Sequence, residues 1–389
     1  MERTWGRRWS VVMKRSSPLF GQAAFGAVGS PFALLLFFLL LLSPRLILAE
    51  SGTIPPHAVV LQYHHFGSGN PADASVSEAE FEAHLDYLLE HKFEVWPLTE
   101  VISRLRGEGE IPDRVVALTV DDPSSTIYSV AYPHLKRRGM VMTVFVNTFA
   151  VDYGDGSSLT WEQMREMQQA GFTFANHGRS HSHLPQRLQG EDELQWRERV
   201  TIDIERAQKR LESELGTAPK LFSYPYGEYD LPLLELVESL GYVAFGQHSG
   251  AIGRQSNFYA LPRYPLSGDY ANLEAVADKL LTLPLPVESE HPQSPLLERG
   301  ELRPKLELLL GKGEYRADAI VCYVSGEGKT LLQVEGARLT VQARHSLPVG
   351  RSRYNCTVRH NRFNRYFWYS HPWVREADSE AESSPKQGS

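Results

Sequence analysis

The chain has 389 residues, of which 42% are hydrophobic and 22% are charged, and its formal net charge is −7. This length suits one large domain and a smaller one, and the composition is ordinary for a globular protein. The negative charge argues against the concentrated basic surface of nucleic-acid-binding proteins, so we expect no nucleic-acid partner.

The first 49 residues have the layout of a secretory signal peptide. Basic residues occur between Arg3 and Arg15, and the apolar run FALLLFFLLLL follows them. This run has about half the residues that a membrane-spanning helix needs. We therefore predict cleavage after Ala49 and export to the periplasm, the cell envelope or the medium. An uncleaved membrane anchor is the alternative, because Ile47 is unfavourable three residues before the cut.

Between residues 57 and 285, short apolar runs alternate with amphipathic segments. The runs AVVLQY, RVVALTV, MVMTVFV, FTFAN, KLFSYPY and YVAFG predict buried strands. Val-rich strands that alternate with helices predict a parallel sheet covered on both faces. The number of such units, and the absence of a Gly-rich dinucleotide motif, favour an α/β fold: a distorted (β/α) barrel of about seven strands.

Helices in this region have recognisable ends. Ser77 with Glu80, and Thr160 with Gln163, have the spacing of capping boxes. A long helix that we expect to end at Gly216 has an apolar face formed by Val200, Ile204, Ala207, Leu211 and Leu215.

The composition changes near residue 286, where LPVESEHPQSPLLERGELRP is rich in proline and charge. Strand-like segments with short polar breaks then predict a small antiparallel β domain of sandwich type over 286–375. Cys322 and Cys356 lie in two of these segments and either form a disulfide after export or remain buried thiols. Residues 376–389 have the low hydrophobicity of a disordered tail.

Sites in such barrels lie at the carboxyl ends of the strands, and three strand ends here have unusual residues. ALTVDDP ends in Asp121 and Asp122, FTFA leads into NHGRSHSHL, and LFS leads into the rigid turn YPYG. His177 and His181 are four residues apart, which puts both imidazoles on one face of a helical turn. Two histidines and one carboxylate would bind a divalent metal with one position open, while the second carboxylate acts as general base on water.

These motifs resemble those of the polysaccharide deacetylases of the NodB-homology type, which form carbohydrate esterase family 4. The family's Thr-Phe-Asp-Asp-Gly is matched by TVDDP at residues 119–123, its histidine motif by NHGRSHSHL, and its Arg-x-Pro-Tyr-Gly by SYPYG. The likeness runs from VVLQYHHFG to ALPRYPL and is greatest to exported bacterial members near the poly-N-acetylglucosamine deacetylases.

The resemblance implies a role for each matching position. Asp121 would be the catalytic base, and Asp122, His177 and His181 would bind a divalent metal. Zinc is the expected ion, with cobalt, nickel and iron as alternatives. The backbone N–H of Tyr226 would help to hold the oxyanion.

The chain departs from the family pattern at three places. Pro123 replaces a glycine and is expected to push Asp122 toward an extended backbone. Ser223 stands where many members have an arginine that orients the base, and Arg263 in LPRYPL is a candidate to supply that charge. No segment matches the last motif, Leu-x-x-His, which supplies the general acid; His248 is its best substitute or else a plain loop residue.

Other residues near the strand ends are expected to contact substrate. His64 and His65 end the first strand and either contact substrate or cap the strand. Tyr224 and Pro225 belong to the rigid turn. His183 matches no ligand position, and we expect it to be solvated or to lie behind the ligands.

We therefore expect an exported, metal-dependent hydrolase that removes acetyl groups from an acetylated polysaccharide, with N-deacetylation of a polymer containing N-acetylglucosamine favoured. Contact with a membrane is expected only through the export signal or an uncleaved anchor. An O-acetyl esterase acting on another glycan is one alternative. A non-catalytic glycan-binding protein is another: Pro123 and the missing last motif favour it, and the intact Asp-Asp and His-His pairs oppose it.

Overall fold

The structure is a computed structural model that describes residues 54–67, 74–154 and 156–376, with only the backbone of Glu108. The predicted signal peptide over 1–49, its anchor alternative and residues 377–389 of the predicted tail lie outside the described residues. Within the described ranges, no helix is both long enough and apolar enough to cross a bilayer.

A curled sheet forms the first part of the described chain. Its strands and two short flanking ones are β1 (His57–Tyr63), β2 (His65–Phe66), β3 (Ser75–Val76), β4 (Glu94–Val95), β5 (Val115–Asp121), β6 (Thr143–Val146), β7 (Thr173–Asn176), β8 (Leu221–Ser223), β9 (Val243–Phe245), β10 (Ile252–Gly253) and β11 (Tyr264–Pro265). Parallel pairs run in the order β1–β5–β6–β7–β8–β9. At the edges, β10 pairs antiparallel with β1, and β4 pairs parallel with β5.

The chain around β11 links the two ends of this sheet. Leu261 bridges to Phe245 of β9, and Tyr264 pairs with Leu61 of β1, both in parallel sense. The described part of the chain therefore contains a distorted barrel of seven parallel strands. This confirms the predicted α/β barrel.

Helices cover the outside of the barrel. They are α1 (Glu78–Glu90), α2 (Leu98–Ser103), α3 (Tyr132–Arg137), α4 (Thr148–Tyr153), α5 (Trp161–Gln169), α6 (Glu193–Leu215), α7 (Leu231–Ser239) and α8 (Leu273–Leu280), with π-helical turns at Arg104–Glu108 and Ile127–Ala131 and 3₁₀ turns at Pro225–Gly227 and Gly268–Ala271. Both predicted capping boxes are present, at the starts of α1 and α5. The predicted apolar face of α6 is buried, and the helix ends at Gly216 with a φ of 78°.

The inner face of the barrel is apolar except at its upper end. Small and apolar residues fill the lower part, among them Ala58, Val60, Ala117, Phe145, Ala175, Leu221 and Val243. Side chains alternate along each strand, so Gln62, Thr119, Asp121 and Ser223 point inward at the carboxyl ends. These polar side chains are all fully buried, and they form the floor of the candidate site.

The C-terminal part consists of two facing sheets. Its strands are β12 (Leu283–Pro284), β13 (Val287–His291), β14 (Lys305–Leu310), β15 (Val321–Val324), β16 (Gly328–Lys329), β17 (Leu332–Glu335), β18 (Arg338–Gln342), β19 (Gly350–Arg359) and β20 (Tyr366–Arg375), with a 3₁₀ turn at Ala317–Ala319. The sheet orders are β12–β20–β19–β15–β16 and β13–β14–β18–β17. Only β12 runs parallel to its neighbour among the described pairs of these sheets. Alternate apolar residues of both sheets form one core, as predicted for a sandwich.

Cys322 of β15 and Cys356 of the neighbouring strand β19 are paired in register and form a disulfide. The sandwich also contacts the barrel: Arg365 donates to Asp113 Oδ1 (2.6 Å) and to the Leu281 carbonyl (2.8 Å). All the described residues group into one compact unit, so the predicted division at residue 286 stays a prediction.

Candidate active site

Three side chains converge where β5 and β7 end. The ligand-type atoms of Asp122, His177 and His181 all lie within 4.8 Å of one another. Asp122 Oδ1 is 3.5 Å from His181 Nε2 and 3.9 Å from His177 Nε2. These are the three residues that the resemblance implies as metal ligands, and the structure brings them together.

His177 is oriented by a backbone contact to the neighbouring strand. Its Nδ1 lies 2.7 Å from the Ser223 carbonyl, which can only accept, so Nδ1 carries the proton. The buried Nε2 has no hydrogen-bond partner in the described part of the chain. An imidazole fixed through one nitrogen, with the other aimed at a carboxylate and a second imidazole, fits a divalent metal ion.

The histidine loop is not the helical turn that the spacing predicted. Residues 177–181 form an irregular loop, with a φ of 74° at Gly178 and 52° at His181. Asp203 of α6 holds this loop, because its carboxylate accepts the N–H groups of Arg179 (2.8 Å) and Ser180 (3.0 Å). A Cβ at Gly178 would lie 2.8 Å from Asp203 Oδ2, so the loop needs glycine there.

Asp122 adopts a left-handed backbone conformation, with a φ of 65°. The expectation that Pro123 would make it extended is wrong. Asp tolerates this region better than most residues, although such a conformation costs about 1–3 kcal/mol and persists only where its surroundings hold it. Here Asn147 Nδ2 donates to Asp122 Oδ1 (2.6 Å), and the Pro123 carbonyl accepts the Leu159 N–H (2.6 Å).

Asp121 lies directly below this cluster in a buried ion pair. Arg263 Nη1 and Nη2 donate to its Oδ1 and Oδ2, both at 2.7 Å, and both side chains are fully buried. Gln62 (2.7 Å) and Ser223 (3.0 Å) also donate to Oδ2. Arg263, which directly precedes β11, thus provides Asp121 with the positive charge that Ser223 cannot supply.

The pKa of Asp121 is lowered well below its usual range. Burial opposes ionisation, but the charges of Arg263 and then His177 outweigh it. The group is therefore a carboxylate at every physiological pH. Its Oδ1 accepts a single hydrogen bond from the described residues, whereas Oδ2 accepts three. Oδ1 is therefore the oxygen with fewer hydrogen bonds from the described residues.

The turn after β8 places Tyr226 beside the histidines. Tyr226 has a φ of 60°, and its ring lies 4.5 Å from that of His181 and stacks on His183 at 4.0 Å. His183 is not part of the cluster; its Nδ1 contacts Glu228 Oε2 at 2.6 Å. Arg351 of β19 donates to the Tyr226 carbonyl (2.6 Å).

Two residues of this turn were expected to contact substrate, and both are buried. The side chain of Tyr224 is fully buried, and its hydroxyl donates to the Tyr259 carbonyl at 2.8 Å. Pro225 is buried too, near Gly178. The period of two that points Ser223 inward sends the Tyr224 side chain to the outer core, so Tyr224 does not face the site, whereas Pro225 packs against the histidine loop.

The three other histidines that were predicted for the site, His64, His65 and His248, lie in different places. His64 lies close enough to Asp121, Asp122 and His177 for their charges to act on it, although burial is the main cause of its lowered pKa. His65 lies 3.1 Å from the Ser124 hydroxyl. His248, which was predicted either to replace the general acid or to be a plain loop residue, lines a cavity of about 660 Å³ against the sandwich, and that cavity contains none of Asp122, His177 and His181. Burial lowers its pKa to about 3.

Four residues that hydrogen-bond to groups of the site were not predicted from the sequence: Gln62, Asn147, Asp203 and Arg351. Asn147 directly follows β6, so the same attention to strand ends could have found it. Gln62 lies one residue before the end of β1, on its inward face. Asp203 and Arg351 lie far along the chain from the groups they hold, with no local pattern to mark them.

The chain was compared with known proteins. The family model for polysaccharide deacetylase matches residues 108–245. The putative polysaccharide deacetylase YxkH of Bacillus subtilis is 30% identical over 218 residues, which cover 55% of this chain and 72% of YxkH. The poly-beta-1,6-N-acetyl-D-glucosamine N-deacetylase of Staphylococcus aureus (strain MRSA252) is 27% identical over 202 residues, which cover 50% of this chain and 69% of that protein.

Solved structures show the same fold. The Streptococcus pyogenes deacetylase PplD, in complex with acetate, superposes with a TM-score of 0.53 and 24% identity over 58% of this chain and 99% of PplD. IcaB from Ammonifex degensii gives a TM-score of 0.51 and 24% identity over 59% of this chain and 99% of IcaB.

Proposed function

Since this chain belongs to the polysaccharide deacetylase family, we propose that it is a metal-dependent hydrolase that removes N-acetyl groups from a polysaccharide containing N-acetylglucosamine. The observation that carries this proposal is the Asp122–His177–His181 cluster directly above the buried Asp121–Arg263 pair. A family fold alone does not fix an activity; a metal site beside an ionised carboxylate supports hydrolysis.

The proposed substrate rests on the similar proteins. The Staphylococcus aureus relative is named as a poly-beta-1,6-N-acetyl-D-glucosamine N-deacetylase. Its identity to this chain is 27%, so the linkage of the polymer is part of the proposal.

We assign the metal to Asp122, His177 and His181, and zinc fits this set best. Two imidazoles and one carboxylate leave a fourth position open, as catalytic zinc sites do. Burial and then His177 lower the pKa of His181, and neutral imidazoles are the form that binds metal. When bound, such an ion supplies Lewis-acid chemistry: it lowers the pKa of water and polarises a carbonyl.

Residues of the chain would then accept the proton of water, stabilise the negative oxygen and protonate the leaving group. Asp121 accepts the proton of the attacking water at Oδ1, while Arg263 keeps the carboxylate ionised and fixed. The Tyr226 N–H donates to the oxygen that becomes negative as water adds. We prefer His64 to His248 as the group that protonates the leaving nitrogen, because the charges of Asp121 and Asp122 act on His64, whereas the cavity that His248 lines contains none of the metal-ligand candidates.

Export to the periplasm or cell envelope is part of the same proposal. The basic and apolar leader supports it, as does the Cys322–Cys356 disulfide, because such bonds persist in oxidising compartments.

Acetate release tests the proposal. Purified protein is assayed on poly-β-1,6-N-acetylglucosamine and on an O-acetylated xylan, before and after treatment with chelator. We expect acetate from the first polymer, loss with chelator and recovery with zinc. Asp121→Asn should lose turnover but bind zinc, and His177→Ala should bind zinc weakly. Release from the xylan alone would assign ester hydrolysis instead, and no release from either polymer would contradict the proposal.

A further inference from the structure

A groove of about 780 Å³ lies between the barrel loops and the edge of the β-sandwich. His183 and Glu228 lie on the barrel side of this groove, and Val349, Gly350 and Val374 lie on the sandwich side. The family model ends at residue 245, so the sandwich wall lies outside the segment that it matches.

The groove begins next to the candidate metal ligands. His181 contacts the ring of Tyr226 (4.5 Å), and that ring stacks on His183 (4.0 Å, 10° between planes). His183 lines the groove. One ring therefore separates a metal ligand from the groove, so a ligand in the groove would extend toward the reacting centre.

The sandwich wall is fastened to the turn that forms the site. Arg351 follows Gly350 in β19, and its Nη1 donates to the Tyr226 carbonyl (2.6 Å) and to Gln247 Oε1 (3.2 Å). Gly227 packs tightly against Gln247, since a Cβ at Gly227 would lie 2.6 Å from Gln247 Cβ. The wall and the Tyr226 turn thus hold a fixed relation across the groove.

Several polar groups of the lining contact an oppositely charged or hydrogen-bonding neighbour. Arg187 contacts Glu193 (2.9 Å) and Asp230 (3.9 Å), and His183 contacts Glu228 (2.6 Å). Arg375 and Glu376 add one further charge of each sign to the lining, which therefore offers both hydrogen-bond donors and acceptors. This chemistry suits an uncharged, hydroxyl-rich ligand. Val349 is 56% exposed, so the groove is open to solvent, as a polymer requires.

We propose that this groove binds the polysaccharide chain beside the sugar that is deacetylated, with the β-sandwich as one of its walls. The proposal rests on the proposed function and adds to it: the protein acts on a chain of several sugars held by both parts of the molecule. Contacts with flanking sugars should then raise the rate on long substrates but not on a small acetyl ester.

The test compares substrates of increasing length. N-acetylglucosamine oligomers from dimer to hexamer, β-1,6-linked, are assayed with the full chain alongside 4-nitrophenyl acetate. We expect kcat/KM to rise by about tenfold or more from dimer to hexamer. Val349→Trp, which fills the groove, should lower kcat/KM on the hexamer by about tenfold through KM. The same variant should hydrolyse the small ester at the unmodified rate.

Leu331→Trp is the matched control, because Leu331 is 79% exposed on the sandwich and does not line the groove. Equal rates on dimer and hexamer in the unmodified protein, or equal hexamer rates for the two tryptophan variants, would overturn the proposal. The comparison of oligomer lengths uses the unmodified protein, so its result does not depend on whether a variant folds. If no oligomer releases acetate at all, the proposed function itself fails; if acetate is released without length dependence, only the groove proposal fails.

Discussion

Arg263→Met should remove most of the support of the candidate base. Both members of the Arg263–Asp121 pair are fully buried, and the guanidinium also donates to Ser223 Oγ (2.8 Å) and to the Gly246 carbonyl (3.0 Å). Removing one partner of such a pair leaves an uncompensated buried charge, which costs about 3–5 kcal/mol of unfolding free energy. In an Asp121→Asn background no such charge remains, so the same substitution should cost about 2 kcal/mol less.

Urea unfolding at pH 7, with chelator present so that metal binding does not contribute, measures both costs. Arg263→Lys, which keeps the charge but not the paired donors, should fall between the two proteins. A loss below about 1 kcal/mol, as for an exposed pair, or equal losses in both backgrounds would refute this account of Asp121.

The contribution of Asp121 to the free energy of unfolding should depend on pH with opposite signs in the unmodified protein and in Arg263→Met. The folded pKa of Asp121 is depressed, so its stabilisation is complete above the unfolded value of about 3.9 and is lost as pH falls below it. Without Arg263, burial dominates and the folded pKa rises above that value. Arg263→Met should therefore lose less stability, relative to the unmodified protein, at pH 4 than at pH 7.

Three further outcomes are expected. Asp203→Asn should weaken zinc binding by about tenfold or more in a competition titration, because an amide has one oxygen for the two loop N–H groups. The control Glu205→Gln, on the same helix, should bind zinc like the unmodified protein. Equal zinc affinities for Asp203→Asn and the unmodified protein would exclude a role of Asp203 in holding the loop. Arg351→Ala should lower kcat on the hexamer by about tenfold, since one charge-assisted hydrogen bond is lost, with zinc affinity unchanged; a loss of zinc would indicate a general disturbance of the site. Replacing Cys322 and Cys356 with alanine should cost about 2–4 kcal/mol in urea unfolding, and an unchanged midpoint would contradict a stabilising disulfide.

Local patterns in the sequence were enough to predict the barrel. Apolar strands, two capping boxes and the α6 face with Gly216 each depend on residues within one element. The pairs Asp121-Asp122 and His177/His181 were recognisable because strand ends collect at one mouth of a barrel.

The failures concern backbone conformation and long-range contacts. The histidine spacing suggested a helical turn, but Asp203, more than twenty residues further along the chain in α6, fixes a loop with positive φ instead. Pro123 suggested an extended Asp122, but the contact with Asn147 supports the left-handed form. His248 follows a strand as a site residue would, yet the sandwich packs over it, and no local pattern in the sequence shows where the sandwich packs.

The most direct test of the central claim is acetate release measured during zinc titration. Metal-free protein receives zinc in substoichiometric steps, and acetate from poly-β-1,6-N-acetylglucosamine is measured at each step, with Asp121→Asn titrated in parallel. We expect the rate to rise in proportion to zinc and to level off at a single ion per chain, while Asp121→Asn takes up the same zinc and releases no acetate. A protein that binds this single zinc through His177 and yet releases no acetate, or an Asp121→Asn variant that is as active as the unmodified protein, would contradict the central claim.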